Sequence, residues 1–407
     1  MTPEPIDWTE EPLLDPEQER RALLRSLRRR QGFGVLFVRC TPNQVDRLVE
    51  QVQQELPQKK TALLTLTEPI DNLFEIVDRR PDKQDLRILL IQGLERSLEP
   101  YIQPGYGGEG DYYKLDTAPR ILSHLNQQRE NFRDHFPQLC FVFLLPRFAI
   151  KYVIRRAPDF FDWGSGIFEI PMDLERLQQE SSQFKFKRLE EKDYSVLSPQ
   201  EGREEILKIQ ALIEEPQQTE QTRADLYYEQ ALLYSTNGDC EAALTSYDRS
   251  LAIKPFNHLA WNNRGLALTK MSCYENAISS FNIALEVKPD SYFAWFNRGN
   301  ALYNLENYEE AIASYDQALR CKLDSSETWL YRGNALDSLG HYEEAIASYD
   351  KALQYKSDDP EIWYYRGNTL GNLEKYEEAI AAYTQALQYK QSHYESLGNR
   401  GFSLSNL

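Results

Sequence analysis

Asparagine stands at positions 300, 334 and 368, a spacing of 34 residues. A carboxamide donates and accepts at once, so a row of them can hold the main chain of an extended peptide while aromatic neighbours pack its side chains. Residues at i, i+3, i+7 and i+10 share one face of a helix. That face reads Phe293, Phe296, Asn300 and Tyr303 in one stretch. It reads Glu327, Leu330, Asn334 and Asp337 in the next, and Glu361, Tyr364, Asn368 and Gly371 in the one after, with Asn262 one period before Phe296. The chemistry is amide plus aromatic. The same asparagines could instead only bridge neighbouring helices, and both readings stand at this level.

A second row carries charge: Arg264, Arg298, Arg332, Arg366 and Arg400. Five guanidinium groups in register would suit a phosphate backbone. Acidic runs recur at the same period, however, as Tyr308-Glu309-Glu310, Tyr342-Glu343-Glu344 and Tyr376-Glu377-Glu378. The expectation is therefore arginine stems packed along a helix with their heads paired to carboxylates, and no nucleic-acid partner. A formal charge of −17, shared by both halves of the chain, points the same way.

Other chemistry finds little support. The five histidines lack HExxH spacing and the five cysteines form no CxxC pair, so neither a metal site nor a disulfide framework is expected. No nucleophile, base and acid arrangement stands out, and no enzyme activity or cofactor is expected. The longest apolar run, residues 140 to 145, is too short to cross a bilayer, and the acidic opening MTPEPIDWTEE is unlike a signal peptide. The expected location is the cytoplasm, without stable membrane insertion.

The elements that position these rows follow from the same period. Trp261, Trp295, Trp329 and Trp363 are spaced by 34, and Tyr227 holds the phase one period earlier. Four residues after each tryptophan comes Gly265, Gly299, Gly333 or Gly367, then Gly401, with Ala231 in the first unit. Ala243, Ala277, Ala311, Ala345 and Ala379 follow, and then Tyr247, Phe281, Tyr315, Tyr349 and Tyr383. Small residues let two helices of a unit approach, and aromatics fill the space between units. This pattern resembles the tetratricopeptide-repeat family, whose unit is a pair of antiparallel helices. The resemblance covers about residues 224 to 407. It implies an all-α superhelical solenoid over residues 223–407, five repeats plus the first helix of a sixth, that binds a protein or peptide in its groove. The contact residues carried by that reading are Asn262, Phe293, Phe296, Asn300, Tyr303, Leu330, Asn334, Tyr364 and Asn368.

Some members of that family grip a terminal carboxylate with lysine and arginine. Here those places hold Asn262, Phe296, Leu330 and Tyr364, so that mode is not expected. Pro255 and Pro289 should stop the second helices of their units. Leu323, Ser357 and Gln391 replace proline later, which predicts less sharply specified turns toward the end. The last helix, YESLGNRGFSLSNL, leaves Leu397, Leu404 and Leu407 without a covering partner, and the expectation is a fragment of a longer array.

Residues 34–172 alternate apolar runs with helical patterns, which predicts an α/β domain with a parallel sheet and crossover helices. Strands are expected at 34–40, 61–67, 86–94, 139–145 and 167–170, and helices near 44–56, 70–80, 117–136 and 147–157. Residues 1–33 read as an extension with a basic helix, whose Ala22, Leu23 and Leu27 suit docking on the sheet. Residues 173–222 read as a helical connector. After the first strand comes Cys40-Thr41-Pro42-Asn43-Gln44, with neither the glycines nor the lysine of a phosphate loop, and Gln92 ends the third strand where an active NTPase would have an acid. The runs FGVLFVRC, ILLIQGLERSL and APDFFDWGSGIFEI resemble the degenerate NTPase-like domains that precede repeats in bacterial signalling proteins, implying a regulatory or docking domain.

A Gly/Tyr-rich segment, residues 100–116, predicts a loop whose Tyr106, Tyr112 and Tyr113 contact a partner, or a mobile insertion. The sequence is thus read as a non-enzymatic scaffold or adaptor binding a peptide or helix. The alternatives are a nucleotide-responsive switch without hydrolysis, and an assembly factor for a multiprotein complex, a membrane complex included.

Overall fold

The computed structural model describes residues 15–98, 119–170, 172, 174–187 and 197–407. The backbone divides into two compact units, Met1–Asn237 and Gly238–Leu407. Residues 106, 112 and 113, and with them the expected loop contact, lie outside the described residues.

In the first unit five parallel strands form one sheet in the order β2-β3-β4-β1-β5. They are β1 (Gly34–Arg39), β2 (Thr61–Thr65), β3 (Ile88–Gln92), β4 (Cys140–Leu145) and β5 (Gly164–Glu169). β1 and β4 are buried on both faces and read GVLFVR and CFVFLL, the continuous apolar runs that a doubly covered parallel sheet demands. Leu23 and Leu27 of α1 (Pro16–Arg29) and Val45, Leu48 and Val52 of α2 (Pro42–Glu55) cover one face with Leu36, Val38, Leu90 and Val142. The other face packs Val35, Phe37, Leu89, Phe141 and Phe143 under α3 (Leu73–Asp78), α4 (Arg120–His135), α5 (Arg147–Arg156) and α6 (Pro158–Phe161). The expected docking of the basic helix is seen, and so is the α/β layering.

β3 stops at Gln92, short of the expected residue 94, for a steric reason. Gly93 adopts φ 89°, and a Cβ there would lie 2.1 Å from the carbonyl oxygen of Leu66. Only glycine makes that turn, which leads straight into a short 3-10 helix, Leu94–Ser97. Beyond the sheet come α7 (Leu174–Lys187), α8 (Pro199–Ile213) and α9 (Glu220–Thr236). α8 is tied to the sheet domain. Arg39 donates to the carbonyl of Glu214 at 3.1 Å, Arg96 pairs with Glu204 at 2.6 Å, and Leu207 packs against the sheet core.

The second unit is helical throughout: α10 (Cys240–Ile253), α11 (His258–Lys270), α12 (Tyr274–Val287), α13 (Tyr292–Asn304), α14 (Tyr308–Cys321), α15 (Ser326–Ser338), α16 (Tyr342–Tyr355), α17 (Pro360–Asn372), α18 (Tyr376–Tyr389) and α19 (Tyr394–Ser405). Helices pair as α11 with α12, and so on to α17 with α18. In each pair the glycine of the first helix faces the aromatic ring of the second. A Cβ on Gly265, Gly299, Gly333 or Gly367 would come within 2.5 to 2.6 Å of Phe281, Tyr315, Tyr349 or Tyr383.

The turns between pairs are as well defined late in the array as early, contrary to the expectation drawn from the missing prolines. Trp261 Nε1 donates to the carbonyl of Pro255 and Trp295 Nε1 to that of Pro289, each at 2.8 Å. Trp329 does the same to Leu323 at 3.0 Å and Trp363 to Ser357 at 2.9 Å. The indole, rather than the proline, pins the turn. Each first helix also starts on a side-chain cap, from Asn257, Ser291, Ser325, Asp359 and His393 in turn.

Candidate functional site

The asparagine row is half engaged. Tyr315 Oη donates to Asn300 Oδ1 at 2.8 Å, Tyr349 Oη to Asn334 Oδ1 at 2.9 Å, and Tyr383 Oη to Asn368 Oδ1 at 2.9 Å. Asn368 Oδ1 also accepts from Asn399 Nδ2 at 2.8 Å, which fixes that amide's orientation. Each oxygen is therefore committed to the helix pair, and no hydrogen-bond partner of the three Nδ2 groups is found among the described residues. The row presents donors, not donors and acceptors.

Its neighbours divide between surface and interior. Phe293 is 67% exposed, whereas Phe296 is buried among the rings of Tyr292, Tyr315 and Tyr331. Tyr303 is half-buried with its ring edge-on to Tyr308, and Tyr364 lies against Tyr365, Tyr383 and His393. Leu330 is half-buried at the edge of the fourth unit's core. Asn262 is buried, accepting from Asn297 Nδ2 at 3.1 Å and donating to Asn263. Asn262 and Phe296 thus serve helix packing, the simpler of the two roles open to such residues.

Carboxylates share this face. Burial raises the Tyr331 hydroxyl above the ordinary phenol range, with Glu327 and Tyr303 adding to it, and burial followed by Glu361 does the same at Tyr365. Asp337 accepts from Thr369 Oγ1 at 2.6 Å. This face is tyrosine-rich and amide-donating, with acids at Glu327, Asp337 and Glu361. The lysines that cap the second helices, Lys254, Lys288, Lys322, Lys356 and Lys390, form a row of the same period at helix C-termini. Their spacing was visible in the sequence, masked by the adjoining Pro255 and Pro289.

Four of the five arginines, those at 264, 298, 332 and 366, turn inward to stitch repeats together. Arg264 Nε donates to Asp248 at 2.7 Å and its Nη1 to Ser280 at 2.7 Å, joining α10 to α12. Arg298 reaches Asn282 and Ser314, Arg332 reaches Asp316 and Ser348, and Arg366 reaches Asp350. Each guanidinium also lies 5.7 to 5.9 Å from the ring centre of the tryptophan three residues before it. The carboxylates that pair are those at 248, 316 and 350, the last two about two turns further along their helices than the expected Tyr-Glu-Glu runs. These four guanidinium groups therefore bind neighbouring helices rather than being offered to a phosphate chain.

In the sheet unit the turn after β1 closes on itself. The Thr41 N–H donates to Gln44 Oε1 at 2.8 Å, and Gln44 Nε2 donates to the Ile170 carbonyl at 3.2 Å. A helix N-terminus capped by its own side chain has fewer N–H groups left for an anion. At the end of β3, Gln92 donates to Thr65 Oγ1 at 2.7 Å.

Models of the tetratricopeptide repeat match residues 292–322 and 360–393 and, in a second form, residues 228–271; a TPR-repeat model matches residues 333–373. The chain carries these repeats. No curated protein matches it. Among solved structures, YrrB, described as a TPR protein with an unusual peptide-binding site, is 22% identical over 44% of this chain and 92% of its own, with a TM-score of 0.40. A MamA from Desulfovibrio magneticus RS-1 is 18% identical over 42% of this chain and 96% of its own, with a TM-score of 0.40. Pseudomonas aeruginosa PilF is 16% identical over 56% of this chain and 98% of its own, with a TM-score of 0.44. Likenesses at this level carry no inference about partners.

Proposed function

We propose that this repeat-bearing chain is a non-enzymatic scaffold or adaptor whose groove takes an extended peptide or a helix of a partner protein. The observation that supports it is the row of three amide donors. Tyr315, Tyr349 and Tyr383 hold the oxygens, so each Nδ2 is oriented before a partner arrives, and one donor per repeat is available to a main-chain carbonyl of an extended chain. Phe293, Tyr303, Leu330 and Tyr364 then supply apolar contact around Asn300, Asn334 and Asn368.

In this reading the sheet unit is a degenerate NTPase-like docking or sensing domain, and the protein acts in the cytoplasm. No helix among the described residues is long and apolar enough to cross a membrane. The self-capped turn at Thr41 and the amide at Gln92 weigh against hydrolysis as the unit's role.

Substitution by aspartate tests the groove cleanly, because Asp keeps an oxygen for the tyrosine hydroxyl while removing the donor. Crosslinking mass spectrometry in native lysate would supply the partner segment as a synthetic peptide. The triple variant N300D/N334D/N368D of the full chain should melt near the wild type yet bind that peptide at least tenfold more weakly, about 1.4 kcal/mol. Equal affinity in a folded triple variant would remove the groove from the account.

A further inference from the structure

The sheet's topology creates a second candidate site. β1 leads into α2 on one face and its neighbour β4 leads into α5 on the other. Helices diverging from adjacent strands leave a crevice beyond the carboxyl ends of an open parallel sheet. Here the crevice is roofed by α8, which turns it into a cavity of ≈ 230 Å³. That is the volume share of about seven or eight liquid waters, small for a nucleotide but ample for a compact metabolite.

Its walls are apolar, with Val45, Leu144, Leu207 and Ala211 among them. Its floor is not. Glu95 lies on the 3-10 helix that Gly93 aims into the crevice, and its Oε2 is sealed from solvent with no hydrogen-bond partner among the described residues. Burial is the main cause that pushes this carboxyl up to about 7, against the opposing pull of backbone N–H groups and Arg96. An orphaned carboxylate oxygen beside an apolar cavity is costly unless a donor, best a charged one, meets it.

The remaining charges define that donor. Asp46 from α2 and Glu204 from α8 also line the space, against Arg96 and Lys208. Arg96 is spent on Glu204 at 2.6 Å and on the Thr67 carbonyl at 2.9 Å, and Lys208 on Glu205 at 2.9 Å. The Cys40 thiol, pushed up by burial, contributes no charge. Acids are in excess, and the α2 N-terminus beside them is capped by Gln44, so a phosphate would find repulsion and few donors.

We propose that this cavity binds a small primary aliphatic amine, its ammonium on Glu95 Oε2 and its hydrocarbon stem against Leu144 and Leu207. Because α8 forms the roof, the occupied cavity holds α8 on the sheet. Cation binding favours ionised Glu95, so affinity rises with pH between 6 and 8.

The test is calorimetry of the full chain with n-butylamine, with n-butanol, butyrate and Mg-ATP as comparisons. Saturable binding of the amine with Kd below about 1 mM is expected, well within what about five heavy atoms can deliver. E95Q should weaken it at least tenfold while folding normally, because an amide removes the buried charge without changing shape. L207W should abolish binding by filling the cavity from α8. Binding of butyrate or Mg-ATP in place of the amine, an equal response to butanol, no heat with the amine, or full affinity in E95Q would each overturn the proposal. None of these results touches the peptide groove, which lies in the other unit.

Discussion

Tyr315 and Asn300 are joined by a hydrogen bond of 2.8 Å from the phenol to the amide oxygen, between the two helices of one repeat. A residue of the framework thereby orients a residue of the proposed groove. The same pair recurs as Tyr349 with Asn334 and Tyr383 with Asn368. Under the proposed function, one hydroxyl per repeat couples packing to recognition.

Tyr349→Phe removes that hydroxyl and leaves the ring. The expected loss is about 1 kcal/mol, the net worth of a part-buried hydrogen bond, read as a lower urea midpoint at unchanged slope. Partner affinity should fall as well, since Asn334 then rotates freely. A variant with wild-type stability would mean that the hydroxyl is not bonded as described.

The glycines give a comparison within one chain. Gly333→Ala would place a methyl 2.5 Å from Tyr349, while Gly401 has open space around the same position. Overpacking should cost Gly333→Ala about 1 to 3 kcal/mol. Gly401→Ala should be neutral or stabilise by up to about 1 kcal/mol through helix propensity. Thermal melts of the two variants side by side decide it, and equal effects would contradict the packing role given to Gly333.

Ser272, Glu306 and Glu374 hold φ of 59° to 63° at the turn between paired helices, where Gly238 and Gly340 stand in the other units. Side chains resist this left-handed backbone by roughly 1 to 2 kcal/mol. The double variant E306G/E374G should therefore raise the melting temperature, even though glycine usually lowers it. A fall would show that the turn tolerates these side chains without strain.

Repeats were legible in the sequence because glycine, alanine and aromatic positions each answer to a steric demand repeated every 34 residues. The five strands were legible because a doubly covered sheet needs unbroken apolar runs. What escaped was the partner of each polar group. The tryptophan bond to the turn at Leu323 and Ser357, and the pairing of Arg332 with Asp316 instead of a nearby Tyr-Glu-Glu run, depend on side-chain directions that spacing alone does not give. The same holds for the asparagine oxygens. The position of α8 over the sheet was hidden because a polar amphipathic helix reads alike whether it bridges or caps.

Glu95 makes the sheet unit's stability depend on pH in a direction opposite to that of a salt-bridged acid. Its carboxyl is raised to about 7 in the folded chain, chiefly by burial, against an ordinary value near 4.3 when unfolded. The folded state therefore holds the proton more tightly. This contribution is complete below the unfolded value and is lost as pH rises through 7, so the wild type should weaken from pH 5 to pH 8.5 on this account by on the order of 1 to 3 kcal/mol. E95Q removes the dependence. Urea midpoints of the two proteins should lie close together at pH 5 and diverge by pH 8.5 with the variant the more stable. Because every other titrating group is common to both, parallel curves would mean that Glu95 ionises as freely in the folded protein as in the unfolded chain. The orphaned oxygen would then have water within reach.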